Sequence, residues 1–425
     1  MKIKNDFNNF FFIFFSLLPL SIVLGPSISL FNIIILILIY LYIFFHKDHY
    51  KILINNNVIK LLFFIFFYLI FNTIFSIDYE IGLIRNLGFI RLILLFILIN
   101  YFFFLYQNNL KIFNFWTFLI FIIVLDVYVE RFTGTNVFGW GAEEINGIKQ
   151  PNGARVVSFF KDEPIVGGYL NGFIFLISGY VLLKVKEKKL NIFIFLILIS
   201  IFLFSIVITG ERSNTIKAAI GIILFFGLSD FIRIRHKIYL LTGLMGIMIL
   251  IISSSSYLKE RYIGQLYAEA FLGKEANFIQ DNIYLKLYRS GFNVFKNHPY
   301  FGVGNKNYRI ETCNSDLKLI EIYNYECSTH PHQIYIEFLS EHGIVGSLIL
   351  LSVLFFLIFK NLKIIILSQN YLQIGCLIHL LINFMPLLPS GSFFGDFNLT
   401  LFFINFSLMY ALNKNTNIFF VEKKI

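Results

Sequence analysis

The chain has 425 residues, of which 57% are hydrophobic, 19% aromatic and 14% charged, with a mean hydropathy of +0.75 and a formal net charge of +10. Soluble globular chains run at about 45–50% apolar and 25% charged residues, so that class is excluded. The apolar excess falls in blocks of roughly 17–25 residues, the length that carries a helix across about 30 Å of hydrocarbon. The fold class this predicts is an all-α polytopic membrane protein.

The N-terminal "MKIKNDFNNFFFIFFSLLPLSIVLG" has a basic start and an apolar run, as a signal peptide does. It lacks a small-x-small cleavage site and a second apolar run follows at once, so it reads as a retained first span. Spans are expected at 10–24, 28–45, 58–76, 88–105, 112–129, 165–183, 191–209, 213–229, 238–253, 334–359, 371–388 and 394–411, about twelve in all. With the N-terminus inside, Lys2 and Lys4, "HKDHYK", Lys111, "KVKEKK", "RIRHK", "KNLK" and the final "EKK" all fall on the cytoplasmic side. That is the positive-inside pattern. The basic balance therefore reports orientation and attraction to anionic membrane lipid, and no nucleic-acid partner is implied.

The chain divides accordingly into spans 1–5 (residues 1–129), a first long periplasmic loop (130–164), spans 6–9 (165–253), a large, mostly helical periplasmic loop between spans 9 and 10 (254–333), and spans 10–12 with a cytoplasmic tail (334–425). The large loop is nearly charge-balanced, with nine Lys/Arg against eight Asp/Glu. It holds Cys313 and Cys327, whereas Cys376 sits in a span. An oxidising compartment permits a Cys313–Cys327 disulfide, with two free thiols the alternative. No internal repeat, heptad array or nucleotide-binding glycine loop is present. The 55 Phe, with many Ile, Asn and Lys, point to an AT-rich coding background, which makes a Phe stripe weak evidence of function.

Ionisable residues inside spans are costly and are functional candidates by default. Here they gather at the outer ends: Arg85 and Arg91, Asp126 and Glu130, Arg212 and Lys217, Glu337 and Glu341, and Asp396, with His379 near mid-span as the exception. Arg91 and Asp126 lie at matching depth on consecutive antiparallel spans, which predicts an ion pair between them. The one-sided set as a whole predicts a polar cavity open to the outer leaflet.

Three stretches can carry chemistry. "STHPHQIYIEF", from Ser328, reads as a helix start, with Ser328 or Thr329 as cap and Pro331 at the first helical position. His332 is then expected in the first turn, where the helix dipole keeps an imidazole neutral, as a general base requires. His330-x-His332 lacks a zinc spacing such as H-E-x-x-H, so no metal site and no cofactor are expected. "ITGERSNTIK", Ile208 to Lys217, is a short outer turn whose Arg212 offers a planar fork to diphosphate oxygens; a single arginine in a turn is also commonly topological. "YRSGFNVFKNHPYFGVGNKNYR", Tyr288 to Arg309, reads as an amphipathic helix ending at "NHP" and followed by a glycine turn.

The order of these features resembles the O-antigen ligase and polymerase superfamily: a T-G-x-R turn after an apolar span, "NHPYFGVG" in a long outer loop, then "HQIYIEFLSEHGIVG" opening a span. The family's usual patterns look like T-x-S-R, h-P-l-f-G-v-G and H-N-x-Y-L-x-x-L-a-E-x-G-l-i-G. The last is met by His332, Tyr335, Leu339, Glu341, Gly343, Ile344 and Gly346. "PNGARVVSFFKDEPIVGGYL", from Pro151 and including Arg155, resembles the segment such proteins carry in their first long outer loop.

The resemblance implies a metal-independent glycosyltransferase of the bacterial inner membrane, with both termini cytoplasmic and its active site periplasmic. It would move a glycan from undecaprenyl diphosphate to an acceptor hydroxyl on lipid A-core or on another glycan. It implies His332 as the base and Arg212 and Arg289 as diphosphate contacts, with Arg155, His330 and Glu341 in support. Two departures stand out: Glu211 replaces a small residue before Arg212, and Gln333 replaces the usual Asn after the histidine. A ligase and a polymerase share this donor chemistry. A twelve-span secondary transporter would instead show related halves and midplane polar residues, of which only His379 is present; a structural subunit would leave the outer histidine–arginine set without a role.

Overall fold

The computed structural model describes residues 10–45, 50–106, 110–141, 155–161, 163–184, 188–265, 282–314 and 324–420. The basic N-terminal tail, most of "HKDHYK", the middle of "KVKEKK", the final "EKK" and the first four residues of "PNGAR" lie outside them. The described chain is helical throughout, without a strand. Its longer helices are α1 (Pro26–Phe45), α2 (Asn57–Asn72), α3 (Tyr79–Gly88), α4 (Ile90–Leu105), α5 (Ile112–Thr133), α6 (Val166–Asn171), α7 (Ile174–Lys184), α8 (Lys188–Ile208), α9 (Arg212–Leu228), α10 (Ile234–Ser254), α11 (Ile283–Asn297), α12 (Ile334–Phe359), α13 (Tyr371–Asn383) and α14 (Asp396–Ala411). Among the described residues, six helical stretches are long and apolar enough to cross a bilayer: Asn57–Phe75, Tyr79–Leu105, Ile112–Thr133, Val166–Lys184, Ile234–Ser254 and Ile334–Ser368. Shorter apolar helices stand at Pro26–Leu41, Ile192–Ile208 and Tyr371–Asn383. The chain is thus built as a multi-pass membrane protein.

Asparagine and aspartate open several of these helices. Asn56 caps α2 through the Val58 N–H, Asp78 caps α3 through Ile81, Asn282 caps α11 through Tyr284 and Leu285, and Asn370 caps α13 through Gln373. Each side-chain oxygen satisfies an amide the helix leaves unpaired. Between helices the core is aromatic: Phe96 stacks on Phe406 at 5.0 Å, and Phe89 meets Phe403 edge-on at 5.4 Å, joining α4 to α14. α7 and α13 cross more tightly. A Cβ at Gly179 would stand 2.2 Å from the Tyr371 carbonyl oxygen, and one at Gly375 would stand 2.3 Å from that of Phe175. Small residues at such a crossing let backbones approach in a membrane, where lipid tails supply no hydrophobic drive.

The expected Arg91–Asp126 ion pair does not form. Arg85 and Arg91 both pair with Asp396 at the start of α14, Arg85 at 2.8 Å. Asp126 instead accepts the Ser158 hydroxyl at 2.6 Å and the Val137 N–H at 3.2 Å. Its neighbour Glu130 accepts the Val157 and Ser158 N–H groups at 3.0 and 2.6 Å. Equal depth made a pair sterically open, but backbone amides and the Ser158 hydroxyl of the segment that follows α5 saturate its carboxylates first.

Cys313 and Cys327 are joined by a disulfide, their Cα atoms 4.6 Å apart, and Cys376 is a buried free thiol in α13. The bond ties the end of the glycine-turn segment to the strand of chain that leads into His330 and His332.

Candidate active site

A cavity of about 520 Å³ opens where the segment between α5 and α6, the α8–α9 turn, the residues after α10 and the start of α11 meet. Arg155, Arg212, Arg261, Lys217, His332 and His379 all line it. Glu211, Tyr284 and Tyr288 complete its polar wall.

The α8–α9 turn is held from three sides. The Val156 N–H donates to the Thr209 carbonyl at 3.1 Å, and the Thr209 hydroxyl accepts the Glu211 N–H at 3.1 Å. From the segment after α10, the Arg261 Nε donates to the Gly210 carbonyl at 3.1 Å while its Nη1 donates to Gln265 at 2.6 Å. Arg261 belongs to a short π-helical turn, Glu260–Gly264. This leaves Arg212, Ser213 and Asn214, the first turn of α9 and so the positive end of its helix dipole, at the cavity.

Glu211, the unexpected neighbour of Arg212, is buried. Its two oxygens accept the Gly167 N–H and the Asn214 amide, each at 2.6 Å. Burial raises the carboxyl from its ordinary 4.5 to about 7, against those two bonds and the nearby Arg155. Glu211 therefore shapes the turn through α6 and α9. A raised folded-state pKa means its contribution to stability is complete below about 4.5 and is lost as pH rises through about 7. In Glu211→Gln the melting temperature in detergent is expected to fall less between about pH 5 and about pH 8 than in the parent. Identical falls would rule out a titrating buried carboxyl.

His332 does not sit in the first turn of α12. The helix starts at Ile334, capped by Gln333, whose side chain accepts the Ile336 N–H at 2.8 Å. The long amide competes successfully with Ser328 and Thr329 for the capping role. It leaves Pro331 and His332 in the preceding loop, His332 with a left-handed φ of 56°. Non-glycine residues hold that conformation only when surroundings enforce it. Here the Ser390 N–H donates to the His332 carbonyl at 2.8 Å, and the two rings of His330 and His332 lie 3.9 Å apart. Burial, then the adjacent His330, depress His332 to about 4; Glu337 and the Ser390 carbonyl oppose this. The ring is neutral at physiological pH.

His330 does not line the cavity. Its Nε2 meets the Ser390 carbonyl at 3.3 Å and its Nδ1 meets the Thr329 hydroxyl at 2.9 Å. A carbonyl only accepts, so Nε2 carries the proton and Nδ1 receives the hydroxyl's. This fixes a neutral ring beside His332. Ser390 itself belongs to a segment anchored by Glu337, which accepts the Ser392 hydroxyl at 2.6 Å and the Phe393 N–H at 2.9 Å. The Lys306 ammonium donates to Ser392 as well, at 2.6 Å.

The two glycine motifs are halves of one interlock. α12 is broken at Gly343, whose φ and ψ are 63° and −170°. The "NHPYFGVG" loop fills the break: Ile344 and Val345 donate to the Pro299 and Tyr300 carbonyls at 2.8 and 3.1 Å, while Val303 and Gly304 donate to Ser340 and Glu341 at 3.0 and 2.9 Å. Glu341 lies here, fully buried, accepting the Tyr308 N–H at 3.4 Å, and not in the cavity. The helix expected to start at Pro331 and run through the span at 334–359 is therefore two pieces, because the loop replaces the hydrogen bonds the break releases.

Arg289 lies on the exposed face of α11, away from the cavity wall. Arg261 lines the cavity in its stead, a residue that sequence reasoning passed over: "KER" after span nine reads as ordinary loop charge, and no periodicity marks it. His379 forms part of the floor, its Nδ1 bonded to the Asn171 carbonyl at 2.9 Å and its Nε2 to the Asn383 amide at 3.0 Å. Among the described residues no group of three His, Cys, Asp or Glu is placed to hold a metal ion.

Comparison with known proteins agrees in position with this geometry. No curated protein matches the chain. Residues 194–351 match the family model described as O-antigen ligase, a stretch that holds Arg212, Lys217, Arg261, His332 and the Gly343 break. Over that segment the chain is similar to the O-antigen ligase family, the same family that the order of its motifs resembles.

Proposed function

We propose that the protein transfers a glycan from undecaprenyl diphosphate to an acceptor hydroxyl of lipid A-core, at the periplasmic face of the bacterial inner membrane. The observation that carries this reading is that one cavity is lined both by a neutral histidine, His332, and by Arg155, Arg212 and Arg261. The acceptor O–H gives its proton to His332 as its oxygen bonds to the anomeric carbon of the donor sugar. The bond from that carbon to the diphosphate breaks, and the arginines take up the charge that develops there. Diphosphate is already a good leaving group, so positioning, one base and preorganised cations suffice; no metal or cofactor is assigned a step. Arg212 contributes its fork and the end of α9, Arg261 and Arg155 the facing charge, and Arg289 meets the glycan or membrane surface outside the cavity. His330 and Glu341 act at a distance, through Ser390 and through the glycine interlock. The layout behind this is twelve spans with both termini cytoplasmic, divided at 129, 164, 253 and 333.

Deleting the gene and examining the lipopolysaccharide tests the reading. Bare core with accumulating lipid-linked polymer is expected. Core capped by a single repeat unit would assign the polymerase reaction instead, and an unchanged profile would remove both. In complementation, Arg212→Lys is expected to lower transfer by about tenfold or more, since an ammonium cannot reproduce bidentate contact; wild-type lipopolysaccharide from that variant would leave Arg212 a topological residue.

A further inference from the structure

The cavity holds one cation that the arginine set does not explain. Lys217 is only 6% exposed, lines the cavity, and makes no hydrogen bond or ion pair among the described residues. Its neighbours are spoken for. Glu211 spends both oxygens on Gly167 and Asn214, and His379 spends both ring nitrogens on Asn171 and Asn383. Four cations, Arg155, Arg212, Lys217 and Arg261, thus face a single carboxylate among the described lining residues. An ammonium buried in a membrane helix with Glu211 as its one nearby counter-charge, and without a hydrogen bond or ion pair among the described residues, is expensive to keep, and such residues mark ligand sites.

Position says which ligand atom it meets. Lys217 is five residues further into α9 than Arg212, about 7.5 Å along the axis at 1.5 Å per residue. Side chains tilt toward a helix's N-terminus, so its ammonium reaches back up into the cavity from below. A lipid-linked diphosphate enters with its chain in the membrane and its sugar outward.

We propose that Lys217 binds the membrane-proximal phosphate of a prenyl diphosphate, the one esterified to the lipid, and makes the site select diphosphate over monophosphate carriers. This rests on the transfer reading given above. In that reaction the sugar–oxygen bond breaks and the released prenyl diphosphate keeps the bonding electron pair, gaining one negative charge. Lys217 holds that product by the phosphate that does not change its bonding, while the arginines meet the phosphate that does.

The test is binding of farnesyl diphosphate, farnesyl monophosphate and inorganic diphosphate to the full chain in detergent, for the parent, Lys217→Met, Lys217→Arg and Arg212→Ala. The parent is expected to prefer farnesyl diphosphate over both other probes. Lys217→Met should weaken that ligand by about tenfold or more and lose most of the preference over monophosphate, while melting no lower than the parent without ligand. Lys217→Arg should keep the preference. Parent-like diphosphate binding by Lys217→Met would overturn the proposal, and so would a failure of that variant to fold, since the ammonium would then be structural. Inorganic diphosphate binding as tightly as the prenyl ester would overturn the lipid-linked assignment. Loss in Arg212→Ala with none in Lys217→Met would sink this inference alone. No binding by the parent, or none lost in Arg212→Ala, would bring down the transfer reading with it.

Discussion

Replacing His332 with alanine is expected to reduce glycan transfer by about 10²–10⁴-fold, the range that a positioned general base contributes, with protein levels in the membrane unchanged. The side chain lies in a loop and not within a helix core, and its backbone is held by the Ser390 N–H, which alanine retains. Folding should therefore survive. The same histidine, as the proposed base, is expected to set the acid side of the pH profile. Burial and the neighbouring His330 depress it to about 4, so the imidazole accepts protons throughout the range where an unperturbed one would be charged. The acid limb of kcat/KM is expected near 4 and not near 6.5. A limb at the ordinary histidine value, or activity near wild type in His332→Ala, would reassign the base.

The second large effect is on the fold. A Cβ at Gly302, whose φ is 68°, would stand 2.3 Å from the Glu341 carbonyl carbon and 2.4 Å from the His342 nitrogen. Neither is a side chain that can swing aside. Gly302→Ala must open the interlock between the loop and the broken α12, at a cost of about 1–3 kcal/mol in backbone strain alone, with the overlap and the lost loop–helix hydrogen bonds added. Low yield and early melting in detergent are expected. Gly246 in α10 is the control: nothing lies within 4 Å of a Cβ there, so Gly246→Ala should be neutral or slightly stabilising. Equal behaviour of the two variants would mean that the interlock does not support the fold.

The apolar runs, the all-helical class and the two glycine motifs were legible because each is written locally, in hydropathy or in residues that only a special backbone angle requires. The break at Gly343 was not, since a glycine in an apolar helical run is usually tolerated; what breaks the helix is a loop forty residues upstream. The start of α12 was misplaced by three residues because Ser328, Thr329 and Gln333 all offer a capping oxygen, and tertiary bonds to Ser390 chose among them. His332 and Arg212 were legible through a motif order, whereas Arg261 and the depth of Lys217 in the cavity depend on how separate segments converge. The partner of Arg91 was unreadable for the same reason: depth narrows the choice of carboxylates, but packing decides it.

That last pairing bears on how the protein is made. Asp396 lies 305 residues after Arg91, so at about 5–20 residues per second the ribosome needs on the order of 15–60 s to supply it. For that interval α3 and α4 sit in the membrane with two arginines and without the carboxylate that finally neutralises them. Arrival of α14 closes the charge balance of the first helices and brings into register the 389–394 segment that grips His332. A nascent chain that stops short of Asp396 therefore keeps Arg85 and Arg91 in its first helices without the carboxylate that pairs with both in the finished fold.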